Sequence, residues 1–285
     1  MTPPEQRPQT PSPTSSGAGP ATTAPGAAST DGTLPAASPA GPLRLLTASL
    51  ASDPVLDVAL GSALLELIAA GEADATFRIG RPAPTLSFGR LDRILPGFPA
   101  AVATARSLGF TATLRVGGGR AAAIHEGALS FGIAQPADDG TTSDRFAWLA
   151  DVVLAALARV GVRAARGRLP DEYCPGDWSI NARGVKLSGL SQRVKRHATW
   201  TEGLLLVEGG ERAREVLHAV HADLGLPLDP ATVGAVEDLV PGIVVADVAR
   251  ALRDELAARG TISDAPIDPL TLARAETLRE RHEVG

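Results

Sequence analysis

The chain has 285 residues, of which 44% are hydrophobic, 4% aromatic and 21% charged, with a formal charge of −5 and a single Cys. That length holds one large domain or two small ones with a sizeable apolar core. One Cys excludes a disulfide framework or a Cys-rich zinc site, and a slightly acidic chain poor in aromatics is not built as a general nucleic-acid binder.

Residues 1–41 are rich in Pro, Ala, Ser, Thr and Gly and nearly devoid of large apolar side chains, so the expectation is a disordered tail. The start also lacks the basic region and apolar core of a signal peptide, and no apolar run approaches the ~18 residues of a membrane span. The reading is a soluble cytoplasmic protein with a single domain over 42–285.

From Leu43 the pattern becomes globular. Ser52 or Asp53 caps a helix opened by Pro54, with Val55, Val58, Ala59, Leu65 and Ile68 at helical spacing and Gly71 as its stop. Short strands are predicted at Ala75–Gly80 and Pro84–Arg90, a helix at Pro99–Leu108, and a strand at Thr111–Val116 that runs into three glycines. A strand at Ala128–Ala134 precedes a helix from Ser143 or Asp144 to Val160. A loop over 167–177 then leads to strand-like stretches at Trp178–Asn181, Val185–Arg193 and His197–Val207. Helices at Glu211–Leu224, Val244–Arg259 and Pro269–Glu283 finish the chain, the last ~55 residues (about 230–285) reading as a helical appendix. Irregular alternation with several hairpin-distance strands implies an α/β (α+β) fold, a mixed sheet flanked by helices.

Two stretches carry candidate chemistry. In Leu114–His125, three consecutive glycines follow a strand and free backbone N–H groups for a phosphate, a carboxylate or a developing oxyanion. Such a run also serves as a plain flexible turn, and it matches neither the phosphate-loop nor the dinucleotide pattern. In the second stretch Tyr173, Cys174, Trp178 and Lys186 fall within fourteen residues, although the chain has one Tyr, one Cys and only two Lys, Lys186 and Lys195. Cys174 lies in a polar Pro/Gly-flanked loop, a poor place for an inert core thiol. A thiol attacks a carbonyl as thiolate, and a nearby ammonium favours that form. Lys also offers what Arg does not, an amine able to lose its proton when desolvated. The plain alternatives are a filler thiol and a surface charge.

At these residues the sequence resembles the biotin/lipoate protein ligase and octanoyltransferase superfamily. Arg115-Val116-Gly117-Gly118-Gly119-Arg120-Ala121, followed by His125, is similar to its glycine-rich acyl or acyl-adenylate loop, with one residue more before the His than is commonest. Val185-Lys186-Leu187-Ser188-Gly189-Leu190-Ser191-Gln192 resembles its Lys-containing segment. The Tyr173-Cys174-Pro175-Gly176 loop resembles the cysteine octanoyltransferases, above all the amidotransferase that moves octanoyl from the glycine cleavage H protein to lipoyl domains. The likeness covers roughly residues 43–225.

The resemblance implies a class II aminoacyl-tRNA synthetase or biotin synthetase-like core and an acyltransferase working without metal or cofactor. Cys174 is then the nucleophile and Lys186 the general acid/base. Arg115, Gly117, Gly118, Gly119, His125, Gly189 and Gln192 belong to substrate binding, with amides near Gly117–Gly119 on the acyl carbonyl and His125 in a supporting role. The implied partners are an octanoyl-carrying donor, either the glycine cleavage H protein or acyl carrier protein, and the lipoyl domains of 2-oxoacid dehydrogenases, with no nucleic acid or membrane. The rival functions are an ATP-dependent lipoate–protein ligase, in which Cys174 is incidental, and a non-catalytic acyl-binding protein. The stretch Arg183–His197 holds Arg183, Lys186, Arg193, Lys195 and Arg196 and no acid, a steering patch for an acidic partner or a guarded strand edge. His218 and His221, three apart on a helix, read as surface residues.

Overall fold

The computed structural model describes Pro39 and residues 41–285, so the expected N-terminal tail lies almost wholly outside the described residues. In chain order the elements are β1 (Leu43–Leu46), α1 (Pro54–Ala69), β2 (Thr76–Gly80), β3 (Thr85–Phe88), α2 (Phe98–Ser107), β4 (Thr111–Leu114), β5 (Ala122–Ile124), β6 (Ala128–Pro136) and α3 (Thr142–Arg159). They continue with β7 (Ala165–Arg166), β8 (Ile180–Ala182), β9 (Val185–Val194), β10 (Ala198–Leu206), α4 (Gly210–Leu224), α5 (Val245–Arg259), β11 (Ile262–Ala265) and α6 (Pro269–Leu278).

Local chemistry explains most boundaries. Pro54 occupies the first turn of α1, where its missing N–H costs nothing, and the Asp53 carboxylate accepts the Leu56 amide at 3.1 Å. The start of α3 falls earlier than expected because Thr141 is the cap, its hydroxyl taking the Asp144 amide while Asp144 reaches back to Thr141. α4 is bracketed by Gly209 and Gly225, both left-handed.

The large sheet runs β11-β1-β2-β6-β10-β9-β8-β7, parallel where β1 pairs with β11 and β2 and antiparallel elsewhere. A small sheet, β4-β3-β5, stands apart from it. The mixed sheets flanked by helices match the expected class. One apolar cluster lies between the large sheet and α3 and α5, around Phe77, Phe131, Leu149, Val153 and Leu252. A second lies between the small sheet and α2 and α4, around Phe88, Phe110, Val216, Leu217 and Tyr173. A third, with Leu64, Leu65 and Trp200, joins α1 to the other face of the large sheet. The helical appendix expected near the C-terminus needs correction. Its segment contributes β11 to the large sheet beside β1, with α6 packed against α1. No described helix is long and apolar enough to cross a membrane.

Candidate active site

The site forms where the loop leaving β4, the loop between β7 and β8, and the start of β9 converge. Two of the three loop glycines are demanded by close packing. A Cβ on Gly117 would stand 2.2 Å from Ser191 Oγ, and one on Gly119, at φ +107°, would stand 2.7 Å from Cys174 Sγ. Gly118 faces open space. One expectation is corrected here. The Gly117 amide is already spent, donating to Glu202 Oε1 at 3.1 Å, and the same carboxylate accepts Ser191 Oγ at 3.0 Å and Trp200 Nε1 at 2.7 Å. The amides of Gly118 and Gly119 have no hydrogen-bond partner among the described residues.

Cys174 sits at φ 42°, a left-handed conformation uncommon outside glycine. Its sulfur accepts the Arg120 amide at 3.2 Å, with Arg115 Nη1 at 3.5 Å. Arg115 is itself anchored to the carbonyls of Ser87, at 2.8 Å, and of Arg120. Burial alone would push the thiol up. The positive charges of Arg115 and Lys186 and the Arg120 amide outweigh it and hold the thiol below its ordinary value.

Lys186 is 1% exposed, which removes the surface-charge alternative. Its Nζ donates to the carbonyls of Tyr173 and Cys174, both at 2.8 Å, and to Glu172 Oε1 at 3.3 Å, and it lies 4.6 Å from the Tyr173 ring centroid. The ammonium therefore grips the backbone of the cysteine loop. Burial pushes Lys186 down, against the opposing pull of Cys174 and Glu172. Gly189 gives its stem room, since a Cβ there would meet Lys186 Cε at 3.2 Å.

Glu172 was not singled out from the sequence and is the organising acid of the loop. Fully buried, it accepts the amides of Leu169 and Gly176, both at 3.2 Å, the Ser179 hydroxyl, and Lys186. The Tyr173 hydroxyl is buried without a hydrogen-bond partner among the described residues, and burial pushes its pKa up.

A cavity of about 410 Å³ opens on Cys174, Lys186 and Gly119 and runs past Ile124 and Leu204. Its floor follows the strand register Gly189↔Leu204↔Ser130. That is two inter-strand steps, about 10 Å. The wall on the β2 side includes Arg78 and Asp57, a buried ion pair between β2 and α1.

The remaining expected residues divide. Gln192 lines the cavity, donating to Thr201 Oγ1 at 2.6 Å, with its own carbonyl oxygen unpartnered among the described residues. His125 does not line it. Gly127 N donates to its Nδ1 at 3.0 Å and its Nε2 meets Gly209 O at 3.2 Å, so both ring nitrogens serve the backbone. His218 is exposed as expected, but His221 is 2% exposed with Nδ1 on Leu217 O, because it falls on the inward face of α4. The basic stretch is thinner than its sequence suggests, since Lys186 is buried and Lys195 is paired with Glu66 at 3.0 Å.

The lipoyl protein ligase A/B catalytic domain family matches residues 53–257. The chain belongs to that family. It is 30% identical over 223 residues to an octanoyl-[GcvH]:protein N-octanoyltransferase of Geobacillus kaustophilus, covering 78% of this chain and 75% of that protein. A lipoyl-[GcvH]:protein N-lipoyltransferase of Listeria monocytogenes is 25% identical over 173 residues, 59% of this chain and 61% of its own length. In three dimensions the chain is similar to a lipoate-protein ligase A bound with ATP, with a TM-score of 0.70 and 20% identity over 84% of this chain and 94% of the other. A bi-partite lipoate protein ligase from Thermoplasma acidophilum gives 0.65 and 15% over 86% and 93%. Family membership together with the transferase relatives makes the chain an acyltransferase of lipoate assembly, as its glycine loop and Cys–Lys stretch led us to expect.

Proposed function

We propose that Cys174 carries an octanoyl or lipoyl group as a thioester between two carrier proteins. The observation that carries this reading is the thiol itself. It is held below its ordinary pKa between Arg115 and the Arg120 amide, and it opens on a cavity deep enough for an eight-carbon chain.

The Cys174 thiolate attacks the acyl carbonyl of the donor, whose oxygen develops negative charge beside the unpartnered amides of Gly118 and Gly119. Collapse breaks the bond to the donor's amine, which leaves with a proton from Lys186. The acceptor lysine amine then attacks the thioester, Lys186 recovers a proton, and the thiolate is released. With an amide-linked donor the net exchange is one amide for another; a thioester-linked donor releases a thiol at the first collapse and the net change is thioester to amide, and neither route requires nucleotide or metal.

The relatives named for octanoyl- and lipoyl-[GcvH] favour the glycine cleavage H protein as donor. Lipoyl domains of 2-oxoacid dehydrogenases are the acceptors in this reading, and acyl carrier protein is the rival donor. The test is intact mass spectrometry after incubation with octanoyl-H protein and with octanoyl-acyl carrier protein in turn. We expect an octanoyl adduct that is hydroxylamine-labile and absent from Cys174→Ala. If neither donor leaves an adduct, or if Cys174→Ala transfers at the parent rate, the thioester is refuted. Survival of Cys174→Ala with a requirement for ATP and magnesium identifies a ligase instead.

A further inference from the structure

The turn between β3 and α2 is unusual in what it shows to solvent. Ile94 is 77% exposed and Leu91 56%, in a chain whose other large apolar residues are mostly covered. Arg90 and Arg93 alternate with them and are also exposed, and neither forms an ion pair among the described residues. The acid of this turn, Asp92, is fully buried. The outward face is thus two cations and two aliphatics, on a protein whose formal charge is −5.

This turn is fixed, and it is fixed to the active site. Asp92 accepts the Gly89 amide at 2.8 Å and pairs with Arg120 at 3.3 Å, while Arg120 Nη1 also donates to Leu91 O at 3.0 Å. Gly89 lies so close to the glycine loop that a Cβ would stand 1.8 Å from Gly119 O. Arg120 is the same residue whose amide touches the Cys174 sulfur. One residue therefore bridges the exposed turn and the nucleophile.

We infer that Arg90, Leu91, Arg93 and Ile94 form the docking surface for the carrier domains, and that donor and acceptor use it in turn. The inference rests on the thioester reading above. A ping-pong transfer brings two proteins to one sulfur, so both approach over the same rim. The exposed face selects the chemistry of that partner, a small folded domain whose modified side chain projects from an acidic surface with a modest apolar patch. Opposite charge speeds and orients encounter, and the two aliphatics supply the water-excluding contact. The Arg183–His197 stretch keeps Arg183, Arg193 and Arg196 exposed even with Lys186 buried and Lys195 paired to Glu66, but the β3–α2 turn is the one bonded through Arg120 to the sulfur of Cys174.

The test uses the full chain and its variants Arg90→Glu/Arg93→Glu and Leu91→Ser/Ile94→Ser. Cys174 acylation is followed with octanoyl-H protein and with the small donor octanoyl-pantetheine, each at two salt concentrations. For the charge variant we expect kcat/KM with the carrier to fall about tenfold or more and to lose its salt dependence, with the small donor unchanged within about twofold. The aliphatic variant loses carrier activity but keeps its salt dependence. Carrier kcat/KM within about twofold of the parent in both variants overturns the docking surface. So does an equal loss with both donors, which shows the turn acting on the chemistry instead. Failure of the unaltered protein to form an adduct with either donor is a different result, and it overturns the thioester reading with this one.

Discussion

The Cys174 thiol is half-buried yet ionises more readily than a free thiol, because Arg115, Lys186 and the Arg120 amide surround it. Arg115 is the most testable of the three. In Arg115→Met, burial is left less opposed, so the pH midpoint of Cys174 alkylation by iodoacetamide should move up; an unmoved midpoint refutes the role. The parent's acylation rate should rise with pH at values below the ordinary thiol range, as the thiolate forms. It should fall again on the alkaline side below the ordinary lysine range, as Lys186 loses the proton it delivers. Glu172 controls that second limb. Glu172→Gln removes the carboxylate facing Lys186, which should shift the alkaline limb of kcat to lower pH and cost about 3 kcal/mol of stability in urea unfolding. A lower kcat with both pH limbs unmoved would make Glu172 merely structural. Cys174, Lys186 and the glycines were legible because they are scarce residue types or form a run. Glu172 was not, being one of 32 acids and set apart only by its burial. Glu202 was hidden for a similar reason, since its bond to Gly117 exists only once β10 lies against the glycine loop.

Among the elements, α1 and β2 show how a legible helix can carry an illegible contact. The cap and apolar spacing of α1 are plain in the sequence, but nothing there sets Asp57 apart from the other acids. It turns inward because Arg78 on β2 meets it, with the Leu50 amide at 2.6 Å as a further donor. Burial acts to raise the Asp57 pKa, and the charge and hydrogen bonds of Arg78 more than reverse it. The sign follows. A carboxyl lowered in the folded state contributes its full stability above the ordinary Asp value and loses it as pH falls through the lowered one. Arg78→Met strands the carboxylate and should cost about 3–5 kcal/mol at neutral pH, with Arg78→Met/Asp57→Asn recovering part. Equal unfolding midpoints for Arg78→Met and the parent would remove the pair from the account. The elements missed by sequence reading share a cause. β1, β5, β7 and β11 span two to four residues, too few for periodicity, and β11 exists through its parallel pairing with the distant β1.

Across the whole molecule, the C-terminus closes onto the site from the opposite end of the sequence. His282 Nδ1 meets Leu114 O at 2.6 Å and its Nε2 meets Ser62 Oγ at 2.9 Å, while Leu114 N donates to His282 O at 2.9 Å. Leu114 immediately precedes Arg115, so the last turn of the chain fixes the residue that tunes the nucleophile. A helical appendix would be dispensable, whereas a latch of this kind is not. Removing residues 282–285 leaves every strand of both sheets in place but frees the end of β4. The expected outcome is a folded protein weakened by about 2 kcal/mol whose Cys174 alkylation midpoint rises, as in Arg115→Met but by less. A shorter deletion, of Val284 and Gly285 alone, keeps His282 and should keep the midpoint. Acid adds an independent check, because burial holds His282 below its ordinary value. Its contribution is complete above the usual His range and is lost as pH falls through the lowered folded value, so acid destabilisation of the parent should be shallower in His282→Asn. If the longer deletion leaves the midpoint unchanged, the C-terminus stabilises the fold without reaching the thiol.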